Sequence, residues 1–321
     1  MTVIREALER RQVSIYFGAV IAAAAGATVA PGLGVLEAAI NPALAVMLFA
    51  TFLQVPLGEL SRTFRQVRFM AALLVANFVA MPLLVALLVQ ALPHDPLLRL
   101  GVLIVLLAPC IDYVVTFAHL GRADSRSLLA ATPLLLVAQM MLLPVYLGLL
   151  LGEAGRDLIE AGPFVRAFVW LIAVPLFLAG ALQAWAGRSV SMAGMVDRLG
   201  LLPVPATAIV LLVVVCSVVP QLYAARSSAI QAALIYVAFA VVAPFVGLAV
   251  GWLFRLPAAG RRAIAFSTAT RNSLVVLPLG LAVPGASPVL PVVILTQTLV
   301  ELVAELIYVR SISKMGREVA G

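Results

Sequence analysis

Two stretches of sequence organise this chain, Leu103-Ile-Val-Leu-Leu-Ala-Pro-Cys-Ile-Asp112-Tyr and Phe266-Ser-Thr-Ala-Thr-Arg271-Asn-Ser. Each carries one charged residue in the middle of a long apolar run. Pro109 in the first stretch removes a backbone hydrogen bond and disfavours helix at the residue before it. The second stretch is crowded with hydroxyl and amide side chains that compete for backbone partners. The two stretches therefore predict two helices, each broken near its middle.

The rest of the chain is apolar enough to lie in a membrane. Of its 321 residues, 64% are hydrophobic and 11% are charged, whereas about a quarter are charged in a soluble domain. A helix that crosses the hydrocarbon needs roughly 20 apolar residues. The sequence predicts an all-α membrane protein of about ten transmembrane helices. These spans, numbered one to ten, cover residues 13–30, 42–60, 68–92, 97–119, 128–151, 164–186, 201–221, 229–253, 261–283 and 288–309.

The basic residues predict how the chain is oriented. Sixteen of the 21 Lys and Arg residues fall on the side of the two termini, whereas the opposite side has four and Arg271 lies within a span. Cytoplasmic loops carry such an excess of positive charge. We therefore expect a multi-pass protein of the plasma (inner) membrane with both termini in the cytoplasm. The net charge of +7 is explained by these topology signals, so no nucleic-acid partner is expected.

A short internal match predicts two related halves within a single transmembrane transporter domain, residues 1–321. The segment from Pro133 to Gln139 resembles the segment from Pro291 to Gln297, with the same spacing from proline to glutamine and similar apolar residues between them. The halves, residues 13–151 and 164–309, would each contain five spans. Because five is odd, the second half would enter the membrane in the opposite orientation, as in many secondary transporters.

Asp112 and Arg271 are the strongest candidates for a functional site. A charged side chain in the hydrocarbon costs about 2.5 to 3.5 kcal/mol on insertion scales, so such a residue suggests function. Broken helices at equivalent positions of two halves also indicate a binding site. We expect Asp112 and Arg271 to face one another or a shared wet cavity. The alternative is an ion pair that only holds the two helices together.

Several other polar residues lie inside predicted spans. Cys110 is next to the break in span four and close to Asp112, which makes it a better ligand candidate than Cys216, taken as packing. Gln139 and Gln297 could reach the centre from spans five and ten, either as interhelical hydrogen bonds or as substrate contacts. The remaining pair is Glu301 and Glu305 on one face of span ten. Pairing with loop arginines is the expected role of these two glutamates, with a proton or cation role as the alternative.

Motifs of soluble enzymes are missing from the sequence, including a phosphate-binding loop, an HExxH motif and a paired-cysteine metal site. We therefore predict no enzymatic activity, no cofactor and no bound metal. Solute movement would draw on an ion gradient, the membrane potential or the solute's own gradient. The expected partners are the lipid bilayer and a small-molecule or ionic substrate, and the sequence leaves the oligomeric state open.

The residues around both breaks resemble the bile acid/sodium symporter superfamily, and within it the arsenite permease branch. The stretch from Ala108 to Asp124 is similar to the permease motif in which a cysteine, here Cys110, opens the second half of span four. Thr270-Arg-Asn272-Ser resembles the superfamily's crossover asparagine segment. The chain departs from the pattern at two positions. Val275 stands where the arsenite permeases have a glutamate, and Ser267 where the sodium-coupled symporters have one.

The resemblance implies a panel of spans one, two, six and seven beside a core of the other spans, with spans four and nine crossing in the core. It implies efflux of arsenite, with antimonite as a second candidate, through a transient thiol contact at Cys110. Asp112 would carry the coupling proton, and Arg271 would be its counter-charge. The alternative is sodium- or proton-coupled transport of an organic or inorganic anion bound at Arg271. The full predicted substrate site is Cys110, Asp112, Gln139, Thr270, Arg271, Asn272 and Gln297.

Overall fold

A computed structural model of the chain describes residues 2–29, 33–54, 66–152, 162, 165–166, 169–283 and 285–315. Predicted spans one, two and six extend onto residues outside this part, at 30, 55–60, 164 and 167–168. The described residues are helical and contain no β-strand. The α-helices are α1 (Thr2–Val29), α2 (Glu37–Phe52), α3 (Val67–Val75), α4 (Met81–Val89), α5 (Pro96–Leu106), α6 (Val114–Leu120), α7 (Ser125–Leu151), α8 (Val174–Ala186), α9 (Val190–Leu199), α10 (Pro203–Val218), α11 (Arg226–Leu253), α12 (Ala258–Ala269), α13 (Ser273–Leu281) and α14 (Val289–Ser311).

Six helical segments of the described chain are long and apolar enough to cross a membrane. They are Arg11–Val29, Val67–Val89, Ser125–Leu151, Val190–Gln221, Arg226–Leu253 and Val289–Lys314. The outer surface is also apolar, since large side chains such as Phe177, Trp252 and Leu149 are more than two-thirds exposed. A soluble protein rarely exposes so much apolar surface, whereas lipid tails solvate it well. The all-α membrane class predicted from the sequence is confirmed.

The two stretches that carry Asp112 and Arg271 are interrupted helices. Helix α5 ends at Leu106 and α6 begins at Val114, so the residues around Pro109 are not helical. Helix α12 ends at Ala269, where Thr270 adopts an extended conformation with φ −99° and ψ 127°, and α13 begins at Ser273. The breaks lie where proline and the hydroxyl-rich segment predicted them. Neither stretch belongs to the six long spans, because each consists of two short helices.

A π-helical turn, Ala76–Ala80, joins α3 to α4 in one continuous apolar segment. Such turns insert an extra residue into a helix and are frequent at functional sites. Asn77 belongs to this turn and is fully buried. Its amide nitrogen donates to the carbonyl of Leu73 at 3.1 Å and to the hydroxyl of Ser267 at 2.9 Å. The turn therefore brings a polar side chain of the first half of the sequence to the end of α12.

Similar contacts recur in the two parts of the chain. The Tyr146 hydroxyl donates to the carbonyl of Phe78, and the Tyr308 hydroxyl donates to the carbonyl of Ala240. In both contacts the donor and the acceptor are 68 residues apart in the sequence. Pro109 and Arg271 are separated by the same number of residues as Tyr146 and Tyr308. Pro109 and Arg271 also form an isolated antiparallel bridge. This offset is longer than the one that relates the proline and glutamine segments of the sequence. The difference is about one helical turn.

Helices α11 and α12 pack closely because Gly247 has no side chain. A Cβ atom at Gly247 would lie 2.8 Å from the Cα atom of Ala265, closer than carbon atoms can approach without a shift of the backbone. We expect Gly247→Ala to lower the free energy of unfolding by about 1 to 3 kcal/mol, the usual cost of overpacking. Thermal unfolding of the purified protein measures this change. Gly148→Ala is the matched control, since a Cβ there meets nothing within 4 Å, and an equal loss for both variants would contradict the packing argument.

Candidate functional site

The two breaks meet and run antiparallel to each other. The backbone N–H of Cys110 donates to the carbonyl of Thr270 at 3.1 Å, and the N–H of Asn272 donates to the carbonyl of Ala108 at 2.8 Å. Helix ends leave several backbone groups without intrahelical partners, and these two bonds satisfy some of them between the broken helices. The contact therefore fixes Cys110, Thr270 and Asn272 in one place. We call the residues 107–113 and 270–272 the crossing.

Cys110 and Asp112 form a hydrogen-bonded pair on one side of the crossing. The thiol of the fully buried Cys110 donates to Asp112 Oδ1 at 2.9 Å, and the backbone N–H of Tyr113 donates to the same oxygen at 2.6 Å. Asp112 Oδ2 is buried and has no hydrogen-bond partner among the described residues. Because buried polar atoms are nearly always hydrogen-bonded, this oxygen marks a place where a proton, water or substrate could bind.

A tyrosine from outside the crossing, Tyr16, lies near this pair. Tyr16 belongs to α1 and lies in the neighbourhood of Cys110 and Asp112, and α1 packs against α10, which carries Thr207. Tyr16 and Thr207 are both buried. The thiol and carboxylate therefore lie where α1 and α10 approach the crossing. A polar site between two groups of helices is typical of membrane transporters.

No salt bridge joins Asp112 and Arg271 within the described chain, so the alternative of a simple ion pair between them is not what the structure shows, and whether they share a wet cavity stays a prediction. The guanidinium is fully buried, and Nη2 donates to the carbonyls of Ser267 at 2.6 Å and Thr268 at 2.7 Å and to Asn77 Oδ1 at 2.9 Å. Nη1 donates to the carbonyl of Leu106 at 3.3 Å. Carbonyls at helix C-termini carry partial negative charge, and they take the place that was expected for Asp112.

Glu301 and Glu305 of α14 contact the crossing, which corrects the expected pairing with loop arginines. Glu301 accepts hydrogen bonds from the Tyr113 hydroxyl, the backbone N–H of Arg271 and the amide of Gln297. Glu305 accepts one from the hydroxyl of Thr270. Both glutamates are at most 1% exposed. The carboxylate that contacts Arg271, through its backbone N–H, is therefore Glu301.

The other predicted site residues divide into two groups. Thr270, Asn272 and Gln297 lie at or against the crossing, and the Nδ2 atom of Asn272 and the Oε1 atom of Gln297 are buried without partners in the described residues. Gln139 of α7 is also fully buried, but neither of its polar side-chain atoms has a partner there. No hydrogen bond connects Gln139 with the crossing within the described part of the chain. The predicted role of Gln139 stays untested.

Sequence reasoning missed the contributions of Tyr16, Tyr113 and Asn77. Tyrosines inside apolar spans usually pack as aromatic residues with a hydroxyl that finds any nearby acceptor. Asn77 stands out as an amide in an apolar span, but its partner Arg271 is 194 residues away. A signal was present for Glu301 and Glu305, because two carboxylates four residues apart share one face of a helix. Their closeness to the crossing was the feature that the sequence did not reveal.

Two interrupted helices that meet inside a bundle of apolar helices, with buried ionisable groups at the contact, define a membrane transporter. The comparison with known families agrees. Residues 41–226, more than half of the chain, match the sequence profile of the sodium bile acid symporter family, and the chain belongs to this family. Members of the family are transporters of ionic or small-molecule substrates rather than enzymes. A search of curated proteins found no match to the chain.

Proposed function

We propose that the protein exports arsenite from the cytoplasm, with antimonite as a second substrate, and that the proton gradient drives this export. The observation that carries the proposal is the hydrogen-bonded pair of Cys110 and Asp112 at the crossing. A thiol is a soft ligand and suits soft, thiophilic elements better than oxygen ligands do. Tyr16 lies near the pair, and its hydroxyl could hold a hydroxyl group of arsenous acid.

The pair offers balanced chemistry for reversible binding. Asp112 accepts the proton of the Cys110 thiol, and the sulfur attacks arsenic in neutral arsenous acid. An S–As bond forms, one As–O bond breaks, and the hydroxide leaves as water after taking the proton from Asp112. Hydrolysis reverses the same steps and releases arsenous acid. A carboxyl group within hydrogen-bond reach of the thiol is the geometry that such proton transfer needs.

The contacts of Arg271 favour this proposal over transport of an anion bound at Arg271. Its guanidinium already donates to three backbone carbonyls and to Asn77. Each of these acceptors carries partial negative charge and offsets the positive charge of the guanidinium, which an anionic substrate would need for binding. In a sodium- or proton-coupled anion transporter, two N–H groups of the arginine would instead be expected to stay unpaired, so that they can bind the anion in a bidentate way.

The architecture that we propose for transport has about ten spans in two inverted five-helix halves, residues 13–151 and 164–309. The tyrosine-to-carbonyl contacts that recur with equal spacing in both halves support it. The panel would contain spans one, two, six and seven, and Tyr16 and Thr207 would belong to it. Movement of this panel against the core that holds the crossing would expose Cys110 to one side and then to the other.

The proposed location is the plasma (inner) membrane, with both termini in the cytoplasm. The excess of basic residues on the side of the termini, sixteen against four, supports this orientation. This orientation determines the direction of flux expected in a vesicle assay, because the cytoplasmic face of the protein points outward in everted vesicles. Export from a cell then becomes uptake into a vesicle.

We expect everted vesicles that contain the protein to accumulate arsenite when the vesicle lumen is made acidic, so that protons flow outward as arsenite enters. A protonophore should abolish the uptake, since the return of protons through Asp112 would drive each cycle. The measurement is vesicle arsenic by mass spectrometry, with vesicles lacking the protein as the control. If no arsenite flux is seen under any gradient, the arsenite proposal is rejected. Transport of an organic or inorganic anion would then be the leading proposal.

A further inference from the structure

The guanidinium of Arg271 lies where two half-helices end. Ser267 and Thr268 belong to the last turn of α12, and Leu106 is the last residue of α5. Their carbonyls accept hydrogen bonds from the guanidinium at 2.6, 2.7 and 3.3 Å. Asn77 Oδ1 adds a fourth oxygen, and the ring of Phe239 lies 5.5 Å from the guanidinium carbon. Five groups with negative partial charge or a negative face thus surround one cation.

Such an arrangement of oxygens is what a bound metal cation uses in a membrane. The C-terminal ends of half-helices and unwound backbone carbonyls coordinate Na⁺ in secondary transporters, because hydrated ions need replacement oxygens in the hydrocarbon. Here the oxygens come from three separate elements, α5, α12 and the π-helical turn at Ala76–Ala80. The cation that holds these elements together is a side chain of the chain itself.

A guanidinium in this place cannot leave during a transport cycle as an ion can. It needs no ion from solution to neutralise the carbonyl ends, and it fills the volume that an ion would occupy. The N–H of the Arg271 backbone also donates to Glu301, so the residue links the helix ends to α14. The crossing would therefore be held together in every state without sodium.

We infer that Arg271 is a tethered cation that replaces a coupling sodium ion at the crossing, so that this member of a sodium symporter family works without sodium. The inference concerns the crossing itself and does not depend on the substrate proposed above. It makes Arg271 a positioning residue for the broken helices. It also predicts that removing its side chain leaves an oxygen-lined cavity that a small cation can fill.

Thermal unfolding of the purified protein in detergent tests this inference without any substrate. For the wild type, we expect the same Tm in sodium chloride and in choline chloride at equal ionic strength. For Arg271→Ala, we expect the Tm to fall by about 5 °C or more, because the carbonyls and Asn77 lose their partner. Guanidinium or methylguanidinium at low millimolar concentration should restore part of this loss, and sodium should raise the Tm of this variant more than choline does.

Two further variants keep the test decisive. Arg226→Ala removes an exposed arginine at the start of α11, and its Tm should respond to neither guanidinium nor sodium. Arg271→Lys retains a positive charge and should stay folded and insensitive to sodium even if Arg271→Ala cannot be purified. A sodium-specific rise in the Tm of the wild type or of Arg271→Lys would overturn the inference. So would an Arg271→Ala variant that gains nothing from guanidinium or sodium.

Discussion

Replacement of Cys110 by alanine is expected to abolish arsenite uptake into everted vesicles. The substitution removes the sulfur that would bond to arsenic, and it leaves Asp112 without the thiol that donates to it. Cys110 is fully buried within the break between α5 and α6, and the substitution removes a single heavy atom there. The uptake rate should fall to that of vesicles without the protein, and resistance of cells to arsenite should fall with it.

Two controls separate the role of sulfur from that of packing. Cys110→Ser keeps the size of the side chain and can still donate to Asp112, yet it should be inactive because a hydroxyl is a poor ligand for arsenic. Cys216→Ala removes the second buried thiol, whose contact is a 3.5 Å hydrogen bond to the carbonyl of Ala23, and it should retain transport. Full activity of Cys110→Ser, or equal losses at Cys110 and Cys216, would rule out a thiol mechanism.

The breaks in the two helices could be predicted from the sequence because their causes are local. Pro109 cannot donate a backbone hydrogen bond, and the hydroxyl groups near Thr270 offer backbone atoms alternative partners. Such effects act within a few residues and are visible without tertiary structure. The apolar composition predicted the membrane class for a similar reason. Each span must by itself be apolar and long enough to cross the hydrocarbon, and it must pair its own backbone groups there.

The partner of Arg271 could not be predicted in the same way. Charge alone suggested Asp112, because a carboxylate is the usual partner of a buried guanidinium. The actual acceptors are mainly backbone carbonyls, and every residue type carries such a carbonyl. Only the convergence of two helix ends makes these carbonyls a cation site. That convergence depends on the tertiary fold that brings the end of α5 to the end of α12, which the sequence does not reveal.

The offset suggested by the recurring contacts and the offset suggested by the sequence match differ by about one turn of helix. A shift of one turn keeps an apolar face nearly in register, because an α-helix has about 3.6 residues per turn. The match of Pro133 and Gln139 with Pro291 and Gln297 therefore looked as good as the correspondence seen in the contacts. When Tyr146 is aligned with Tyr308, Gln139 corresponds to Glu301, the residue that contacts the crossing.

Removal of the Glu301 side chain should be the substitution with the largest effect on stability. Glu301→Ala leaves the Tyr113 hydroxyl and the Arg271 backbone N–H buried without their acceptor. Each unpaired buried donor costs about 1 to 3 kcal/mol, so the free energy of unfolding should fall by about 3 kcal/mol or more. The Tm measured in detergent should then fall by about 5 to 10 °C.

Tyr113→Phe supplies the comparison that assigns this effect to hydrogen bonds rather than to lost volume. Because the Tyr113 hydroxyl donates to Glu301, the double variant should lose less stability than the two single variants lose together. The expected coupling is about 1 to 2 kcal/mol, as for residues that share a buried polar contact. Glu305→Ala removes one of two acceptors of the Thr270 hydroxyl, which also donates to the carbonyl of Phe266, and should cost less than half as much as Glu301→Ala. Additive losses for Tyr113 and Glu301, or a larger effect at Glu305, would mean that Glu301 does not hold the crossing to α14.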